Sequence, residues 1–178
     1  MGADVLDLYR QASEWTAEKV AGATDLDAET PCTEWRVRDL MNHMLDTQRY
    51  FAAAARGEKD AKPPAPHPPS LLTDDPTADF ERGSAELMDA YAQDGVVDKM
   101  GPVLGIAFSD QLLHGWDLAR ATKQDASMPD GLAQVAYDSI HGKFTDEQRK
   151  GVFGPEIPVG DDATPQQRLL AYTGRDPS

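Results

Sequence analysis

The sequence predicts an all-α protein: a four-helix bundle with additional short helices toward the C-terminus. Three observations carry this. Apolar residues recur at helical spacing in several long segments. Alternating strand patterns are nearly absent. A long proline-rich stretch separates the second helical segment from the third, as expected when one connection spans the length of a bundle. At 178 residues the chain has the length of one domain with its own core and is short for two, so residues 1–178 are expected to form a single helical domain.

The first helix is expected over residues 4–21, where Val5, Leu8, Tyr9, Ala12, Trp15 and Val20 form one apolar stripe and Gly22 supplies the stop. The polar segment TDLDAETPCT connects it to a second helix that starts between Thr33 and Arg36 and ends near Arg56, before Gly57. Val37, Leu40, Met41, Met44, Leu45 and Phe51 make its apolar face, and His43 lies among them. Glu58–Thr77 reads EKDAKPPAPHPPSLLTDDPT, whose clustered prolines favour an extended polyproline crossover. A third helix is expected from Ala78 to Asp94, ended by Gly95. VVDKMGPVLG then reads as irregular, and a fourth helix as Ile106–Thr122. A fifth is expected from Pro129 to His141, with proline in the first turn, where its missing N–H costs nothing. Thr145 with Gln148 forms a capping box for one short turn. Thr164 as cap, Pro165 as first residue and Gly174 as stop frame a last short helix.

Acidic residues outnumber basic ones by 31 to 17, a formal net charge of −14. Such a surface repels phosphate backbones and anionic membranes, which leaves small molecules or other proteins as partners. The opening MGADVLDLYRQ has neither a basic nor an apolar signal region, and no apolar run approaches membrane-spanning length, so a cytoplasmic location is expected. The single cysteine, Cys32, excludes an intramolecular disulfide and a four-cysteine zinc site, and it suits a reducing compartment. Any metal ligands must then come from His, Asp and Glu.

In FSDQLLHGWDLARAT, residues 108–122, Asp110 and His114 stand four residues apart and so share one helix face. Ligand sites in bundles sit between facing helices, which places His43 where it can meet this pair. One carboxylate and two imidazoles suit zinc, nickel or ferrous iron and leave a coordination position open for chemistry. The spacing alone equally fits a buried hydrogen-bonded Asp/His pair or a plain surface pair. Asp39, four residues before His43, either points at the same place or caps its helix. Asp117, three residues after His114, is either an acceptor that holds the imidazole tautomer or a solvated acid. His67, among prolines, is expected to be exposed, and His141 to end a helix. Cys32 is expected to be a structural thiol, and Trp35 and Trp116 to be core or pocket-wall residues. Hydroxyl-nucleophile motifs, phosphate-binding glycine loops and HExxH are missing, which argues against hydrolases of those kinds.

The segments TPCTEWRVRDLMNH and DQLLHGWDLARAT, with the C-terminal FGPEIPVGDDATPQQRLLAYTGRDP, resemble the DinB-like superfamily of metal-binding helical bundles. Within it they are similar to the branch of the N-terminal domain of mycothiol-dependent maleylpyruvate isomerase. The resemblance implies up-down-down-up connectivity and one divalent metal, zinc or nickel. Its ligands would be His43 from the second helix and the Asp110/His114 pair from the fourth, with Asp110 standing where the isomerase has glutamate. The isomerase also uses a separate C-terminal domain, so isomerisation of maleylpyruvate itself is not expected.

Two functions from different classes follow. The first is a metal-dependent thiol transferase or isomerase that uses mycothiol as co-substrate on a small electrophile. In it Asp39 and Asp117 orient ligands, and Trp116 with Met44 wall the pocket. The second is a non-catalytic or stress-related bundle in which the metal staples two helices. A homodimer through an apolar helix face is compatible with either.

Overall fold

The computed structural model describes residues 4–178. Its elements are seven helices: α1 (Val5–Gly22), α2 (Val37–Ala55), α3 (Pro76–Tyr91), α4 (Val96–Ala121), α5 (Leu132–Ile140), α6 (Asp146–Lys150) and α7 (Pro165–Tyr172). No strand is formed among the described residues, where a lone bridge joins Glu29 to Arg36.

Local chemistry explains most of the boundaries. Asp4 caps α1 by accepting from Leu6 N at 3.0 Å, and the predicted stripe Leu8, Tyr9, Ala12, Trp15 and Val20 is buried. At α2, Arg36 N donates to Asp39 Oδ2 at 3.0 Å, which satisfies a backbone group that the first turn would leave unpaired. α3 opens at Pro76, earlier than expected, because Asp75 caps it, accepting from Ala78 N at 3.0 Å. It also stops earlier, at Tyr91, because the chain turns through Gly95, whose φ of 72° serves as the start of α4. α5 begins at Leu132 and not at Pro129. Gly131, with φ of 80°, is its first flanking residue, and the Pro129 carbonyl closes the preceding turn by accepting from Leu132 N at 3.2 Å. The capping box of α6 and the Thr164 cap of α7 stand where the sequence places them, and Gln167 completes a second box at α7.

The largest departure is α4, which is continuous through VVDKMGPVLG, with Pro102 inside it. Proline removes one hydrogen bond, to the carbonyl four residues earlier, and here that residue is the exposed Asp98, where water can take the donor's place. Val96, Val97, Met100 and Val103 meanwhile pack on the core at helical spacing, followed by the fully buried Leu104 and Phe108. Burial of this face outweighs the local proline penalty.

α1 to α4 form the bundle, with α1 beside α3 and α4, and α2 beside the same two. The contacts give the directions. Thr16 Oγ1 donates to the Gln111 carbonyl at 3.3 Å, and further along Lys19 accepts from Gln124 at 2.8 Å, so α1 and α4 run parallel. Asn42 Oδ1 accepts from Leu71 and Leu72, just before α3, while Gln48 reaches Ser84 within α3 at 2.9 Å, so α2 and α3 are parallel too. α3 and α4 are joined by a short turn, which makes them antiparallel. The result is up-down-down-up, and the proline-rich crossover carries the chain back along the bundle between α2 and α3. No helix among the described residues is long and apolar enough to cross a membrane.

The approach of α1 to α4 depends on Gly115. A β-carbon there would stand 2.7 Å from the Trp15 ring and would also meet Thr16 Oγ1. Gly115→Ala should therefore cost about 1–3 kcal/mol, the usual range for overpacking a tight contact. The midpoint of denaturant unfolding reads it; an unshifted midpoint would mean that the two helices separate freely.

Candidate functional site

α2 and α4 bring His43, Asp110 and His114 together, each offering a donor atom, with all three atoms within 4.8 Å of one another. The two imidazoles meet edge to face with centroids 4.9 Å apart. His114 is buried; its Nε2 lies 3.4 Å from Asp110 Oδ1 and its Nδ1 3.0 Å from Asp117 Oδ2. Asp110 keeps 30% of its side chain exposed, toward a cleft of about 750 Å³ that both histidines also line. His43 places Nε2 3.4 Å from Thr47 Oγ1, while its Nδ1 is buried with no hydrogen-bond partner.

Behind His114 lies an ion pair only half legible in the sequence. Asp117, fully buried, accepts from Arg175 twice, Nε to Oδ1 at 2.8 Å and Nη2 to Oδ2 at 2.7 Å. Cys32 Sγ donates to Asp117 Oδ2 at 3.4 Å. Cys32, His114 and Asp117 thus form a second group whose donor atoms lie within 4.8 Å. In that group the Asp117 carboxylate is already committed to the guanidinium and the imidazole, so it serves as their acceptor. Arg175 was not singled out from the sequence. The available signal was the Thr164, Pro165 and Gly174 frame, which fixes where α7 ends but not which way the next side chain points.

Of the two readings of Asp39, the cap holds: its carboxylate accepts from Arg36 N at the start of α2, and it does not line the cleft. Two other expectations are corrected. Met44 is buried in a separate apolar cluster with Val20, Leu40, Leu45, Phe80 and Leu118, and does not line the cleft. Trp116 is buried in the main core, with the Arg120 guanidinium 5.6 Å from its ring centroid, and does not line the cleft. The wall residue is Trp35, whose ring centroid is 4.5 Å from that of His43. It is held by a loop in which Thr30 Oγ1 bonds the carbonyls of Cys32 and Trp35 at 2.9 and 2.8 Å. Trp35 Nε1 also donates to the Pro66 carbonyl at 3.0 Å, which fastens the crossover over the site. His67 and His141 are exposed and take no part.

The electrostatics separate the two histidines. Burial pushes His43 down to about 4, with repulsion from His114 adding to it, so this ring is neutral at ordinary pH. Burial opposes charge on His114 as well, but the Asp110 and Asp117 carboxylates outweigh it and raise this group well above the usual histidine value. Asp117, despite its burial, is held well below the carboxylate range by Arg175 and then His114. Without an ion, the site therefore holds positive charge as a proton between Asp110 and Asp117.

Two uncharacterized proteins of Mycobacterium tuberculosis are each 27% identical to this chain over 187 residues, covering 97% of it and 98% of their own length. No solved structure matches it. The family described as the mycothiol maleylpyruvate isomerase N-terminal domain matches residues 9–121, a stretch that contains both bundle segments of the site. With its helical bundle and its His43, Asp110 and His114 cluster, this chain belongs to that family.

Proposed function

We propose that this protein is a divalent-metal-dependent thiol transferase or isomerase that joins a low-molecular-weight thiol of the mycothiol type to a small electrophile in the cleft. One observation carries the reading: three donor atoms from two helices converge within 4.8 Å at an open cleft, one imidazole having a buried nitrogen with no other partner. A divalent ion fits these residues. Two imidazoles and a carboxylate are the donor set of zinc, with nickel the alternative, and three protein ligands leave a position free.

A bound divalent ion supplies the positive charge that keeps a thiol deprotonated at neutral pH. The chain's own residues do the rest. Asp117, fixed by Arg175, holds His114 by Nδ1 and leaves Nε2 facing Asp110. His43 stays neutral through neutral pH, so one of its two ring nitrogens keeps a lone pair free to bind a cation. Trp35, Phe51 and the crossover prolines Pro64 and Pro66 give the cleft apolar walls that suit an uncharged electrophile and restrict water.

The second reading is a metal that only staples α2 to α4. One experiment separates the two: strip the metal with chelator, reload with zinc, and follow consumption of mycothiol with an activated aryl chloride. Thiol consumption that returns only with zinc is the expected result. Zinc uptake that raises the melting temperature without any thiol consumption would establish the staple instead.

A further inference from the structure

The ion pair between Asp117 and Arg175 joins two parts of the chain far apart in sequence. Asp117 belongs to α4, whereas Arg175 follows α7, beyond the residues 9–121 that define the family match. Arg175 reaches Asp117 because of how α7 ends. Thr173 is the last cap residue, and Gly174 takes φ of 78°, which a side chain would disfavour. Arg175 N then donates back to the Leu170 carbonyl at 2.9 Å, the closure that reverses a chain at a helix end. Gly174 also touches Gly154: a β-carbon on it would lie 2.6 Å from Gly154 Cα. Gly154 N donates to the Thr173 carbonyl at 3.3 Å, so the strap after α6 and the end of α7 hold one another. Gly154, Gly174 and Arg175 all line the cleft.

We propose that Arg175 is a positioning residue for the ligand cluster, and that the segment after α6 thereby acts as a clasp that completes a site whose ligands come from the bundle. The guanidinium contributes more than charge. Two parallel hydrogen bonds fix the plane of the Asp117 carboxylate. That carboxylate in turn fixes the His114 ring through Nδ1, and the ring orientation decides where Nε2 points. Asp117 is fully buried on the same helix as His114, so water cannot substitute for the fork. The clasp rests on the metal reading above only for its effect on affinity, because the ring geometry is a property of the metal-free chain as well.

The test uses the full chain and two variants, each read by zinc affinity in competition with a chromophoric chelator and by the proton contact between the His43 and His114 rings in metal-free NMR spectra. Arg175→Met should weaken zinc binding by about 10-fold, the low end of the range seen when the partner of a ligating histidine is lost, because the partner, Asp117, is freed but still present. Arg175→Lys keeps the positive charge and so keeps Asp117 neutralised, which protects the fold, but it cannot fork. It should fall between wild type and Arg175→Met, with the ring contact weakened. Zinc affinity of Arg175→Lys within twofold of wild type, with the ring contact intact, overturns the proposal, since charge alone would then suffice. A wild type that takes up no zinc, while the ring contact is lost in both variants, overturns the metal reading and supports the positioning role.

Discussion

His114→Ala is expected to abolish thiol transfer and to weaken zinc binding by more than about 100-fold, since loss of even the group behind a ligand costs 10–100-fold. The fold should survive. Arg175 still neutralises Asp117 after the imidazole is gone, and Cys32 still donates to it, so no buried charge is stranded. That makes the variant a clean probe of the site. With zinc at a thousand times the wild-type dissociation constant, wild type should gain about 4 kcal/mol of stability and the variant less than about 1.4 kcal/mol. Thermal unfolding with and without zinc reads the difference, and the thiol assay with zinc in excess reads the activity. Full activity in the variant would remove His114 from the chemistry and the proposed function with it.

The elements that could be read from sequence are those in which local and global demands agree. Thr164, Pro165 and Gly174 each favour the same helix boundaries, and α7 forms between them. The stripe of α1 has one period and one buried face. In contrast, VVDKMGPVLG carries three glycine-or-proline signals against a helix, Gly101, Pro102 and Gly105, while its apolar spacing at Val96, Met100 and Val103 continues that of Leu104 and Phe108. Only the core shows which demand prevails. The site divides in the same way. Helical spacing places Asp110 beside His114, because one turn of one helix decides it, and the rule that bundle sites lie between facing helices adds His43, which the resemblance to a known family also implies. Trp35 and Arg175 depend on a loop and a helix end, where a single left-handed glycine or a threonine hydroxyl sets the direction of a side chain. Met44 and Trp116 leave the cleft for a simpler reason: they follow His43 by one residue and His114 by two, and at about 100° per residue those positions turn off the ligands' face into the packed core.

Asp117→Ala should be among the most destabilising single substitutions in the chain, at about 3–5 kcal/mol, because it leaves a buried guanidinium without its counter-charge. A typical domain has only about 5–15 kcal/mol in total, so this is a large share. Asp117 is fully buried and the Arg175 side chain is 13% exposed, which leaves little water to replace the lost partner. The cost therefore lies in the stranded cation more than in the missing bond. The double variant Asp117→Ala/Arg175→Met removes both charges and should recover a substantial part of the stability, a non-additivity that the two single variants measure. Acid should separate them as well. The folded-state value of Asp117 is depressed, so its contribution is complete above the ordinary carboxylate value and is lost as pH falls through the folded one. Wild type should thus lose stability in acid more steeply than the double variant, with both measured by denaturant unfolding free of zinc. A double variant no more stable than Asp117→Ala alone would mean that Arg175 finds another partner, and that the ion pair is not what fastens the C-terminal clasp to the bundle.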